Sequence, residues 1–182
     1  MNLFEMEHSP SAYRADFIFY GAVSIGVAIL LAVGTPRAQR LATWVWVPIG
    51  LAGWTFLEYV LHRFVLHGLR PFSTWHAEHH RRPTALICTP TLLSAALIAL
   101  LVYLPALLLG SPWRAVALTL GVLLGYFAYT VVHHATHHWR PNSAWARQRK
   151  LWHALHHSRA TGPGYYGVTT EFWDHVFRSA GK

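Results

Sequence analysis

The chain has 182 residues, 53% of them hydrophobic and 14% aromatic, with nine tryptophans, and its 15 Lys and Arg against seven Asp and Glu give a formal charge of +8. That length allows one domain, the apolar content is rich for a soluble protein and points to the bilayer, and a positive balance without a basic helix or an RNA motif fits anionic lipid rather than nucleic acid. The single Cys88 excludes an internal disulfide framework and a cysteine-based zinc ribbon.

Residues 1–16 are polar and carry no Lys/Arg-rich segment, so the apolar run at 17–33 reads as a retained membrane helix rather than a cleaved signal. Gly34-Thr35-Pro36 breaks it. Residues 41–61 form a second run, with Trp44, Trp46 and Trp54 as interface anchors. Residues 62–85 are interrupted by five basic or turn-forming residues, Arg63, Gly68, Arg70, Pro71 and Arg81. Apolar runs at 91–109 and 113–132 flank the turn Gly110-Ser111-Pro112, and about 20 residues at about 1.5 Å each just cover the hydrocarbon core. Arg140-Pro141-Asn142 ends a helix, 144–158 is a further helix, Thr161-Gly162-Pro163-Gly164 is a loop, and 170–178 is a short helix with Phe172, Trp173, Val176 and Phe177 along one side.

Ten of the 14 histidines fall into four clusters: His62 and His67 (H-x4-H), His76, His79 and His80 (H-x2-H-H), His133 and His137 (H-x3-H), and His153, His156 and His157 (H-x2-H-H). Residues three and four apart share a helix face, so the second and fourth clusters are three-pronged and the third two-pronged. Neutral imidazole suits iron, zinc and copper, and ten donors fit two metals with about five each. If all four apolar runs span, 62–85 and 133–182 lie on one side, with twelve of the 15 basic residues there or in 1–16 and only Arg37, Arg40 and Arg114 opposite. The positive-inside rule then places every cluster in the cytoplasm.

The expected fold is therefore all-α: an integral membrane chain of four transmembrane helices, in two hairpins, with a cytoplasmic helical cap that carries a histidine-rich di-metal site. Two acids stand near that site in sequence. Glu58, one turn before His62, and Asp174, after the fourth cluster, are expected to support the ligands by hydrogen bonding, since a ligating imidazole usually donates its other N–H to a carboxylate or carbonyl. No Ser-His-Asp signature, Gly-rich phosphate loop or H-E-x-x-H is present. Ionisable groups are missing from the interiors of the runs, which argues against a metal transporter.

The order of these boxes resembles the fatty acid hydroxylase/sterol desaturase superfamily. Residues 58–67 (EYVLHRFVLH), 124–129 (LGYFAY, leading into His133) and 166–177 (YGVTTEFWDHVF) are similar to the first box, third box and C-terminal signature of fatty acid 2-hydroxylases. The resemblance implies one membrane hydroxylase domain over 1–182 and makes the ten box histidines, but not His8, His134, His138 or His175, the ligands of two iron ions, with zinc able to replace iron in a purified sample. It also implies O2-dependent hydroxylation of a lipid acyl chain, at carbon 2 of a fatty acid or acyl lipid. Eukaryotic members carry an N-terminal cytochrome b5 domain; residues 1–16 cannot hold one, so electrons are expected from a separate donor, cytochrome b5-like or a ferredoxin. Thr130 follows Tyr129 where the family often has Asp. Carotenoid ring hydroxylases and sterol oxidases share the box order and are the alternative reading; a non-enzymatic membrane metal-binding protein is the remote one.

Overall fold

The computed structural model describes residues 6–158 and 163–181. Thr161 and Gly162 of the expected loop, and Arg159 and Lys182 of the basic count, lie outside them. Among the described residues the fold is all-α, with a single isolated bridge pairing Glu7 and Ile87. Its helices are α1 (Pro10–Gly34), α2 (Arg37–Leu66), α3 (Phe72–Arg81), α4 (Thr91–Leu109), α5 (Pro112–His138), α6 (Ala144–His157) and α7 (Phe172–Val176). α1, α2, α4 and α5 are long and apolar enough to cross a membrane.

Local chemistry sets the boundaries. α1 begins at Pro10, ahead of the apolar run, because the Ser9 hydroxyl accepts from the Ala12 N–H at 3.3 Å and Pro10 suits the first helical position. Ser143 starts α6 in the same way, accepting from the Ala146 N–H at 3.1 Å. α4 contains a π-helical turn at Ala99–Tyr103, immediately before Pro105. Pro105 has no N–H to donate and its ring would crowd the carbonyl four residues back, so the helix widens there. α2 ends in a second π-helical turn, Leu61–Leu66, with no proline to cause it.

The chain divides into two compact units. The first comprises residues 1–54 and 86–127. Its core is Leu31, Ala117 and Leu120, with Val27, Ala28, Trp46, Val47 and Val116 against them. α2 and α5 touch through glycines: a Cβ on Gly121 would stand 2.1 Å from the Val47 carbonyl oxygen and 2.8 Å from the Gly50 Cα, the close backbone approach that small residues permit between apolar helices. Two buried polar side chains are paired between α1 and α4, Asp16 with the Thr91 hydroxyl at 2.7 Å and Tyr20 with the Ser94 hydroxyl at 2.7 Å. Outward-facing positions are large and apolar, as at Val33 and Leu109, which suits lipid rather than water.

The second unit comprises residues 55–85 and 128–182. It holds the end of α2, α3, the end of α5, α6 and α7, and with them every histidine of the four clusters.

Candidate metal centre

The π-helical turn explains the H-x4-H spacing. Five residues of an α-helix rotate by about 500°, leaving their side chains about 140° apart. In the wider turn the His67 N–H donates to the His62 carbonyl five residues back, at 3.2 Å, and both rings come to one side, their centroids 5.3 Å apart. π turns inside α-helices occur frequently at functional sites.

The three-pronged clusters fan rather than converge. His79 and His80 are adjacent and so diverge by about 100° around α3. His80 and His76 face one point; His79 faces another. α6 divides likewise between His156 and His153. Two sets of ring nitrogens result, one from His62, His67, His76, His80 and His156, the other from His79, His133, His137 and His153, with the donor atoms within each set all lying within 4.8 Å of one another. His157 stands beside both, its Nε2 3.1 Å from His153 Nε2 and its ring stacked on His80 at 4.1 Å.

The contacts are almost all between Nε2 atoms. His62–His76 is 3.0 Å, His67–His156 3.1 Å and His80–His76 3.1 Å in the first set; His133–His79 is 3.1 Å and His153–His137 2.8 Å in the second. Two nitrogens each about 2.1 Å from one ion, at right angles around it, are about 3.0 Å apart. The donor set therefore fits metal binding in kind and in spacing. Protonation agrees. Burial, reinforced by neighbouring imidazoles, lowers His79 to about 3 and His80 to about 4, and holds His76 and His153 well below the usual histidine value. These rings are neutral at pH 7, the form that binds a metal.

Two rings have their far nitrogen oriented by main chain. His62 Nδ1 lies 2.5 Å from the Tyr166 carbonyl oxygen and His156 Nδ1 lies 2.8 Å from that of Gly164. A carbonyl only accepts, so Nδ1 carries the proton and Nε2 presents its lone pair to the cluster. The Nδ1 atoms of His79, His153 and His157 are buried without a hydrogen-bond partner among the described residues. Tyr129 stacks on His133, rings nearly parallel at 5.6 Å.

The two acids grip the segment that supplies those carbonyls. Glu58, 3% exposed, accepts from the Val168 N–H (2.7 Å) and the Thr169 N–H (2.9 Å) through one oxygen and from the Thr169 hydroxyl (2.5 Å) through the other. Asp174, fully buried, accepts from the Tyr166 N–H (2.9 Å) and the Ser179 hydroxyl (2.7 Å) through Oδ1, and from the Gly167 N–H (2.7 Å) and the Trp152 indole (3.4 Å) through Oδ2. A Cβ at Gly167 would lie 1.9 Å from the Thr170 carbonyl oxygen, so the fold of this loop requires glycine. These bonds join both carboxylates to residues 166–169 rather than to a box imidazole; the acceptors at His62 and His156 Nδ1 are main-chain carbonyls. Glu78, between His76 and His79, points away and pairs with Arg81 and Arg82.

Sequence reasoning missed the π turn, the two carbonyl acceptors and an ion pair between the buried Arg149 and the half-buried Glu171. Main-chain acceptors leave no mark in a sequence. The H-x4-H spacing, which an ordinary helix cannot bring to one face, was the available signal for the π turn.

Residues 47–179 match the fatty acid hydroxylase family. The dihydroceramide fatty acyl 2-hydroxylase FAH2 of Arabidopsis thaliana is 36% identical over 142 residues, covering 72% of this chain and 58% of its own length. The ceramide very long chain fatty acid hydroxylase scs7 of Schizosaccharomyces pombe is 33% identical, covering 93% of this chain and 50% of its own. This chain thus spans little more than half the length of these relatives. In fold it is similar to the solved structure of full-length scs7p, in which only the hydroxylase domain is visible: the TM-score is 0.80 at 24% identity, over 96% of this chain and 67% of that one. The chain belongs to the fatty acid hydroxylase family, and its four membrane-length helices make it an integral membrane protein.

Proposed function

We propose that this chain is a membrane monooxygenase that uses two metal ions, natively iron, and O2 to hydroxylate a lipid acyl chain at carbon 2. The observation that supports the reading best is the gathering of imidazole nitrogens into two sets with ligand spacing, in a chain whose relatives carry the names of fatty acyl 2-hydroxylases. The ten box histidines would hold the ions. Iron bound there would supply the redox chemistry that activates O2 toward an unactivated C–H bond, one oxygen atom entering the alcohol and the other leaving as water with two external electrons and two protons.

The remaining roles fall to the protein. Neutral rings with Nδ1 tied to the Tyr166 and Gly164 carbonyls present fixed lone pairs, so little reorganisation accompanies metal binding. Glu58 and Asp174 hold the loop that provides those carbonyls. The whole chain would act as one hydroxylase domain with its histidine clusters on the cytoplasmic side, where a separate electron donor, a cytochrome b5-like protein or a ferredoxin, can reach them.

The test is lipid mass spectrometry of cells with and without the chain, grown under 18O2. Label at carbon 2 of released fatty acids, lost in the His79→Ala and His156→Ala variants, is the expected result. Labelled carotenoid or sterol in its place would move the chain to a different substrate. No labelled lipid from an iron-loaded protein with a working electron donor would overturn the enzyme reading.

A further inference from the structure

The end of α5, the turn at 139–143 and the start of α6 enclose a cavity of about 220 Å³. Its lining has two characters. Val131, Trp139 and Trp145 supply apolar wall; Arg140, Arg149 and Lys150 supply positive charge, and no acidic residue lines it. Arg149 is the unusual member. It is only 4% exposed, and its Nη2 is turned to Glu171, which lies outside the cavity lining. Its Nε and Nη1 are buried without a hydrogen-bond partner among the described residues. A guanidinium has five donors in a planar fork matched to phosphate and carboxylate oxygens, and burying donors without acceptors is costly. The start of α6 adds the positive end of a helix dipole to the same wall.

The surroundings select among anions. The cavity lies at the C-terminal end of a membrane-length helix, where a spanning segment meets the headgroup layer. Trp139 and Trp145, each more than half exposed, frame it as interface tryptophans do. Arg140 is exposed and Lys150 half-buried, the latter steadied by donating to the Trp139 carbonyl at 2.9 Å. Basic pockets of this kind at helix ends receive lipid phosphates, and the apolar wall suits the glycerol and first methylenes rather than a bare ion.

We propose that this cavity is a binding site for the phosphodiester headgroup of an anionic phospholipid, with Arg140 and Lys150 as its accessible donors and Arg149 as the buried cation of its wall. No histidine lines the cavity, and the proposal does not rest on the hydroxylase reading. It engages α5 and α6 together, the two helices that carry His133, His137, His153, His156 and His157.

The test is native mass spectrometry of the full chain in detergent, titrated with phosphatidylglycerol, phosphatidylcholine or inorganic phosphate. Phosphatidylglycerol should be retained roughly ten- to hundred-fold more strongly than phosphatidylcholine, the worth of one or two charge-assisted hydrogen bonds. Arg149→Gln should lower the preference, one cation of the wall being removed. Because Arg149 also pairs with Glu171 and its loss could unfold the chain, the Arg140→Gln/Lys150→Gln double variant, altered away from that pair, should cut phosphatidylglycerol affinity by roughly ten-fold with the fold kept. Equal retention of the two lipids, unchanged affinity in the folded double variant, or equally tight binding of inorganic phosphate would each overturn the proposal.

Discussion

Asp174→Asn should be far more damaging than Glu58→Gln, although each replaces one buried carboxylate by its amide. The reason is which donors can turn. Asp174 faces a main-chain N–H on each oxygen, Tyr166 on Oδ1 and Gly167 on Oδ2, and the Trp152 indole N–H also points at Oδ2. None of these can rotate. An asparagine must set its NH2 against at least one of them. The cheaper choice puts it at Oδ1, where the Ser179 hydroxyl can turn to accept and only the Tyr166 N–H is left opposed. That bond to a charged acceptor is worth about 1.5–3 kcal/mol, and the stranded buried donor costs about 1–3 kcal/mol more. Loss of charge on the remaining bonds adds about 1 kcal/mol, for a total of about 3.5–7 kcal/mol. At Glu58 the amide oxygen can keep both main-chain N–H groups and the NH2 can donate to the Thr169 hydroxyl, which turns; the loss on these bonds is then charge assistance, about 1–2 kcal/mol. The opposed N–H in Asp174→Asn is that of Tyr166, whose carbonyl orients His62. Chelator-challenged metal release and thermal unfolding of the purified chain should therefore show Asp174→Asn losing metal roughly ten- to hundred-fold faster than the parent, with Glu58→Gln between them. Glu58→Gln proving the worse variant, or Asp174→Asn matching the parent in both assays, would refute this account of the loop.

The well-folded chain should contain two metal ions, and elemental analysis of His79→Ala and His156→Ala should show metal lost where His8→Ala retains it, His8 lying in the other unit. Metal retention and thermal stability should both fall as pH drops from about 6.5 through about 4: His79 and His80 stay neutral in the folded chain while the unfolded chain takes up protons below 6.5, so protons favour unfolding there. Gly121→Ala should lower the unfolding midpoint, because its Cβ meets main chain of Val47 and Gly50 that cannot yield unless the helices part, at a cost of about 1–3 kcal/mol.

Much of the architecture was legible because it rests on period and length. Apolar runs long enough to span became helices, and the three-and-four spacing of His76, His79 and His80 put them on one side of α3. The start of α1 was not read, because the polar stretch before residue 17 hid a Ser9 cap followed by proline. Fanning of adjacent prongs into two sets depends on where α3, α5 and α6 lie in three dimensions, which spacing within one helix cannot convey. The acids were singled out from their rarity and proximity. Their route to the cluster, through the main chain of residues 166–169, could not be inferred, since the sequence around a peptide carbonyl says nothing of what donates to it.

His157 offers the sharpest check on the division into two sets. The first set has five imidazoles and the second four, and His157 falls in neither. Its Nε2 lies 3.1 Å from His153 Nε2, a member of the second set. Its ring is held flat against His80, a member of the first, at an interplanar angle of 15°. Stacking presents a ring face, which carries no lone pair, whereas the Nε2 contact presents one. On this geometry His157 completes the second set and only packs against the first. His157→Gln should then weaken one ion selectively: chelator release followed by elemental analysis should become biphasic, one equivalent leaving roughly ten- to hundred-fold sooner than the other. His67→Gln, whose Nε2 contact is with His156 of the first set, should also give a biphasic release. Combining the two changes should remove both slow phases, because each weakens a different ion. Loss of both ions at a single shared rate in either single variant would show that the ten rings hold their metals as one unit rather than as two sets of five.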